Sequence, residues 1–177
     1  ININTSGDNT LFAIAPKFNY IISDKNSFSF GVEYVNVMAK NELNYSPSIF
    51  DNKSSTTAEN KFAAYLNYDF NSQKGFGLSA GVRYERVNYL FEDIVDHTNN
   101  IHRTYNNVFP NLRVSYQTGQ VSQSLGYRSG IRRPNYQQIN GNTFYVNRFL
   151  YQEGNPRLIP EISHNIRYAV MYRFIYF

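Results

Sequence analysis

The apolar residues of this chain recur at every second position in stretch after stretch, the period of β-strands with two unlike faces. From Phe62 to Phe70 the even positions are Phe62, Ala64, Leu66, Tyr68 and Phe70, and the odd ones are Ala63, Tyr65, Asn67 and Asp69. The rhythm repeats as Phe28, Phe30, Val32 and Tyr34 against Ser29, Gly31 and Glu33. It returns as Leu78, Ala80, Val82 and Tyr84 against Ser79, Gly81, Arg83 and Glu85, and as Leu112, Val114 and Tyr116 against Asn111, Arg113 and Ser115. Leu125 and Tyr127 alternate with Ser124, Gly126 and Arg128. The last run is Ile166, Tyr168, Val170, Tyr172, Phe174 and Tyr176 against Asn165, Arg167, Ala169 and Arg173. With a less regular segment around Leu11 to Ile22, the pattern predicts an all-β fold, an antiparallel up-and-down meander of about seven long strands.

The connections alternate as well. Short polar turns are expected at 23–27, 71–75 and 117–120, each carrying Gly, Asn, Asp or Ser, and long segments at 39–59, 91–103 and 132–163. A meander with short turns at one end and long loops at the other is the habit of transmembrane β-barrels. Strand length agrees, since segments such as 76–91 and 164–177 exceed the roughly 5–6 residues of an ordinary soluble strand.

Composition narrows the choice. Sixteen Tyr and 14 Phe make 17% of the chain aromatic, with no Trp, and the charged fraction is 17%. The absence of Cys excludes disulfide scaffolds, thiolate zinc sites, iron–sulfur clusters and thiol catalysis. The net charge is +4, yet the basic residues are dispersed and the longest basic run is Arg132-Arg133, so no nucleic-acid partner is expected. No apolar run is longer than the five residues of Leu11 to Ala15 or Tyr168 to Tyr172, which excludes a spanning helix but not a spanning strand. The start Ile1-Asn2-Ile3, without Met or a signal peptide, suggests a processed or excised piece.

The two faces have different chemistry. Arg83, Glu85, Arg113, Arg128, Arg167 and Arg173 share the polar parity with Glu33, Gly31, Ser79 and Gly81, as the wet lumen of a barrel requires, and arginine outweighs the acids there. Tyr34, Tyr68, Tyr89, Tyr116 and Tyr172 stand at strand ends, where a ring in lipid and a hydroxyl in water suit a membrane interface. Catalytic patterns are missing. Asp93, Asp96, His97 and His102 share one loop at no recognised metal spacing and read as solvated loop residues. No Gly-x-Ser-x-Gly elbow occurs, and the Glu33 and Glu85 pair has Arg83 and Arg113 near it, which favours lumenal salt bridges over a glycosidase pair. No enzyme activity, cofactor or metal is expected.

Three stretches resemble the barrels of TonB-dependent outer-membrane receptors. Phe109-Pro110-Asn111-Leu112-Arg113-Val114-Ser115-Tyr116 is similar to a strand start in them, and Ile131-Arg132-Arg133-Pro134-Asn135-Tyr136 to an arginine-rich strand end closed by proline. Glu153-Gly154-Asn155-Pro156-Arg157-Leu158-Ile159-Pro160-Glu161 resembles their "G-N-P-x-L-x-P-E" signature. With Glu59 to Tyr65 the resemblance is strongest over 57–177, and the first 56 residues match by alternation only.

The resemblance implies a bacterial outer-membrane location and a nutrient importer whose barrel of about 22 strands encloses a plug. Its partners would be outer-membrane lipid, the plug domain, the remaining barrel strands and, only through that plug, TonB. Here no plug is recognisable and seven strands are too few, so residues 1–177 are expected to be one partial barrel domain. On the residues alone Pro156 and Pro160 fix an extended path into the following strand, and Gly154-Asn155 gives a turn before it. The alternative is a soluble all-β module that binds carbohydrate or protein through Tyr136, Asn140, Asn142, Phe144 and Tyr145. The direction of the apolar set separates the two: outward to lipid in a barrel wall, inward to a dry core in a soluble fold.

Overall fold

A computed structural model describes residues 2–46, 52–72, 74–139, 143–147, 149–155, 157–172 and 175–176. Its strands are β1 (Asn2–Ile14), β2 (Lys17–Ser23), β3 (Asn26–Ser46), β4 (Lys53–Asn71), β5 (Phe76–Asp93), β6 (Ile101–Thr118), β7 (Val121–Arg132), β8 (Thr143–Asn147), β9 (Leu150–Glu153), β10 (Glu161–Tyr172) and β11 (Ile175–Tyr176). The main sheet runs β1-β3-β4-β5-β6-β7-β10-β11, with β2 also on β3, and every pairing is antiparallel. β8 and β9 form a separate hairpin.

β1 and β2 are one strand in register, because Ile14↔Tyr34 and Lys17↔Gly31 belong to one continuous ladder on β3. The break falls at Ala15-Pro16, where proline has no N–H to give, although the Pro16 carbonyl still accepts from the Val32 N–H at 3.3 Å. Counted so, the sheet has the expected strands, β1/β2, β3, β4, β5, β6, β7 and β10, each beside its neighbour in the chain. Among the described residues the sheet is open, with β1/β2 at one edge and β10 with β11 at the other.

Connections β2–β3, β4–β5, β6–β7 and β10–β11 are short and lie at one end, while β3–β4, β5–β6 and β7–β10 lie at the other. Three boundaries differ from the sequence reading. The expected loop 39–59 is mostly strand, since β3 continues to Ser46 and pairs with β4 down to Leu43↔Lys53. The expected loop 91–103 shrinks to 94–100, because β6 begins at Ile101. Above the apolar stretch β4 buries polar Ser55 and Thr57, and the apolar side chains of β5, Val87, Tyr89 and Phe91, stand on the other face, so the alternation that marks the band ends before pairing does. At the other end β10 stops at Tyr172 and Ile175–Tyr176 turns back onto Met171 and Tyr172, so the single final strand 164–177 is corrected to a hairpin. Arg173 and Phe174 lie outside the described residues.

Parity holds over the band in β3, β4, β5, β6, β7 and β10. Phe62, Leu66, Val82, Leu112, Leu125 and Ile166 are exposed on one face, with Leu66 47% and Ile166 77% accessible, and Phe70, Leu78, Val114 and Val170 are half-buried beside them. Nothing in the described residues covers this band. The stretches 62–70, 76–84 and 108–116 have the length a tilted strand needs to cross a bilayer, about 9–11 residues. The buried cluster lies on the opposite face and above the band: Tyr89, Phe91 and Ile139, with Ile101 and Tyr105 packed on them. Tyr89 is therefore no interfacial residue, because β5 carries it onto the other parity.

Gly119 opens the two-residue turn between β6 and β7 at φ 55°, a left-handed value that costs other residues about 1–2 kcal/mol. Gly119→Val is expected to lower stability by about that amount in urea titration of the refolded protein. Gln120→Ala at the next position should cost much less.

Candidate functional site

Tyrosines border the exposed band on both sides and are tied to the neighbouring strand. Tyr34 donates to Asn60 Oδ1 at 3.1 Å, Tyr84 to Asn106 Oδ1 at 2.8 Å, and the Tyr127 hydroxyl lies 2.9 Å from His164 Nδ1. These three lean toward the end with long connections. Tyr68 donates to Asn26 Oδ1 at 2.6 Å and Tyr168 to Gln123 Oε1 at 2.9 Å, both leaning toward the short turns. Each polar partner sits two residues beyond the tyrosine's own cross-strand neighbour, as with Phe62 opposite Tyr34 and Asn60 beyond it. The rings thus stay beside the band while the hydroxyls point out of it.

The polar face carries a charge ladder across β3, β4 and β5. Glu33 pairs with Lys61 at 2.6 Å and with Arg83 at 2.8 Å; Arg83 also reaches Glu85 at 3.2 Å, and Glu85 pairs with Arg133. Glu85 is only 3% exposed, so these cations replace the water it has lost. The sequence reading set Arg83 near the two glutamates, and the ladder brings it to both. That reading missed Lys61 and Arg133, and it placed Arg113 near the acids, whereas Arg113 lies further toward the short turns, opposite Ser79. Arg133 comes from beyond the end of β7, a distance in sequence that no strand pattern reveals.

Arg133 begins a strap that returns over the polar face. Its single turn of helix, α1 (Tyr136–Ile139), is closed by Asn135 and Gln138, each side chain accepting from the other's backbone N–H at 2.9 and 3.0 Å. Ile139 then seats against Tyr89 and Phe91. The proline motif completes the strap. The Asn155 N–H donates to the Gln138 carbonyl at 2.6 Å, the Asn155 side chain accepts from the Arg157 N–H at 2.9 Å, and Arg103 donates to the carbonyls of Arg157 and Leu158 at 3.0 and 3.2 Å. Leu158 and Pro160 face Val87, Tyr89, Tyr105 and Ile139 around one small apolar space. Gly154 follows β9, which ends at Glu153, and Glu161 opens β10 opposite Arg132. Pro156 and the Glu153 side chain lie outside the description, as do the loop residues Asn140 and Asn142 and the side chains of Tyr136, Phe144 and Tyr145.

Below the ladder the polar face changes character. Asn67, Gly81, Asn111, Arg128 and Asn165 form one cross-strand row, and Asp69, Ser79, Arg113, Gly126 and Arg167 the next. Asn111 donates to Asn67 Oδ1 at 3.4 Å across Gly81, where a β-carbon would collide with both amides. Arg113, Arg128 and Arg167 are exposed around a recess of about 750 Å³.

The loop acids do structural work. Asp93 accepts from the N–H groups of Val95 and Asp96, and Asp96 from both the Thr98 N–H and the Thr98 hydroxyl, at 2.6–3.0 Å. Among the described residues no group of three or more His, Cys, Asp or Glu is placed to hold a metal ion.

Compared with known protein families, residues 1–177 match the one described as "Outer membrane protein beta-barrel family". The match includes the first 56 residues, where the sequence offered alternation alone. No curated protein matches the chain.

Removing one partner of a buried ion pair costs about 3–5 kcal/mol, less where the partners are partly exposed as here. Glu85→Gln is expected to lower stability by about 2 kcal/mol and to speed protease cleavage within 133–160, read by urea titration and limited proteolysis. The Thr98 hydroxyl and, after it, the Thr98 N–H hold the Asp96 carboxyl below its ordinary value of 3.8. Its support for the turn is therefore complete above that value and is lost as the pH falls through the lowered one. Amide-exchange protection of Thr98 should stay level from about pH 7 to pH 5 and drop below about pH 4.

Proposed function

We propose that this chain, which belongs to the outer membrane protein beta-barrel family and is located in the bacterial outer membrane, forms part of the wall of a TonB-dependent receptor that imports a nutrient. The observation that carries the reading is the uncovered apolar band bordered by outward-leaning tyrosines, set back to back with a polar face of charges and amides. Each large apolar side chain left in water forgoes roughly 1.5–3 kcal/mol, so a band of this extent calls for lipid against it. The opposite face then borders the barrel lumen, with Arg83, Glu85, Arg113, Arg128 and Arg167 on it. An open sheet in a membrane would strand the N–H and C=O groups of both edges, so further strands of the same receptor close the barrel on β1/β2 and β10.

In this reading the wall binds and guides rather than catalyses. The ladder and strap narrow the lumen at the end with long connections, and the resemblance of 153–161 to the receptor signature supports that assignment. A plug supplied elsewhere in the receptor would carry the contact with TonB. Carbohydrate or protein recognition by a soluble module is disfavoured, because that fold needs the apolar set in a dry core.

Two measurements test the proposal. The full-length protein should fractionate with the outer membrane and migrate faster on gels before boiling than after. Uptake of its nutrient, identified by growth on single sources, should stop when the proton-motive force is collapsed. Recovery in a soluble fraction overturns the wall reading, and uptake indifferent to the proton-motive force overturns the receptor reading.

A further inference from the structure

The polar face is neutralised on one side and left cationic on the other. Across β3–β5 Lys61 and Arg83 each meet a glutamate, and Arg133 joins them from the strap. Across β6, β7 and β10, Arg113, Arg128 and Arg167 form no ion pair among the described residues. The nearest acid in their own row is Asp69, two strands from Arg113 through Ser79, which is about 10 Å at ordinary strand spacing. Glu161 stands opposite Arg132, further along toward the long connections. Asp24 and Lys25 belong to the short turn beside Asp69 and share a second recess with Arg113.

The arrangement of the three arginines is specific. Gly126 pairs with Arg113 on one side and Arg167 on the other, and Arg128 follows on the same face one row higher. The remaining polar lining, Ser79, Asn111 and Asn165, carries hydroxyl and amide donors. Gly126 is not required by crowding, since the nearest atoms to a β-carbon there are backbone oxygens at 3.9 and 4.0 Å, and its φ is not in the left-handed range. Its missing side chain leaves open the floor between the guanidinium groups.

We infer that Arg113, Arg128 and Arg167, arranged around Gly126, form a binding site for a solute that bears more than one carboxylate or phosphate group. The inference rests on the proposal that this face borders the lumen of an importer, and it names the class of passenger. Guanidinium forks match carboxylate and phosphate oxygens in pairs of hydrogen bonds, and Arg113 and Arg167, two strands apart, engage two separate anionic groups. In a lumen walled by protein, unpaired arginines raise the local potential, which draws anions in and disfavours cations.

The test uses the full-length protein in detergent, with citrate as the polyanionic probe and sucrose as a neutral control, read by titration calorimetry. The wild type should bind citrate and not sucrose. Arg113→Gln with Arg167→Gln should weaken citrate binding at least tenfold, and Gly126→Leu, which fills the floor without meeting backbone, should do the same while gel mobility before boiling stays that of the wild type. No citrate binding by the wild type, or binding unchanged in these variants, overturns the inference. A wild type that ignores citrate while the double arginine variant melts at lower temperature assigns the arginines to carboxylates of the receptor itself, and overturns it too. Outer-membrane fractionation is read on the same samples, so loss of the site with location intact is distinguished from failure of the wall reading.

Discussion

A β-strand turns successive side chains to opposite sides, and in this sheet the two sides meet different surroundings over the same few residues. Register is thereby fixed, since a slip by one position would carry Arg83 and Glu85 into the apolar band and Val82 and Tyr84 onto the charged face. Every other feature follows from that alternation. The ladder Lys61–Glu33–Arg83–Glu85 exists because odd positions of three neighbouring strands stand side by side. The tyrosine ties exist because even positions do the same at the margins of the band.

The margins show how an apolar band without tryptophan marks its limits. A phenol has one donor, and here it is spent on an asparagine or glutamine one strand away in four of the ties, with His164 as the partner in the fifth. The diagonal step costs the sheet nothing, because side chains lean along the strand and residues two apart share a face. It leaves each ring beside the band and each polar group at its edge. Six asparagines acquire a location from this, Asn26, Asn60 and Asn106 at the borders and Asn67, Asn111 and Asn165 in one row below the ladder.

The fold was legible where alternation coincides with the apolar band, and illegible beyond it. Phe62 to Phe70 announced both strand and facing; Lys53 to Asn60 did not, because the side chains it buries, Ser55 and Thr57, are themselves polar and leave no apolar period. Tyr89 was misplaced because it shares the parity of Arg83 and Glu85, and that face carries the cluster under the strap rather than the band. The break at Pro16 hid the length of the first strand, although the register runs through it. Of the polar face, Arg83 with Glu33 and Glu85 was visible as a same-face set. Arg133 was not, since a partner reached through a loop leaves no periodic trace. The role of Leu158 and Pro160 as apolar contacts of the strap was likewise closed to pattern reading, which saw only that the prolines stiffen the path.

The strands are much longer than the band they carry. β3 runs from Tyr34 at the border to Ser46, about 40 Å of further chain, and so about 30 Å of height once strand tilt is allowed for. The sheet is therefore roughly twice as tall as its apolar band. In the proposed importer a solute arriving at the end with long connections would meet the strap and the paired charges first, and Arg113, Arg128 and Arg167 only at the level of the apolar band. Selection of a passenger in that importer would be staged by depth, with shape judged early in open water and charge judged late, where low-dielectric walls make each guanidinium count for more.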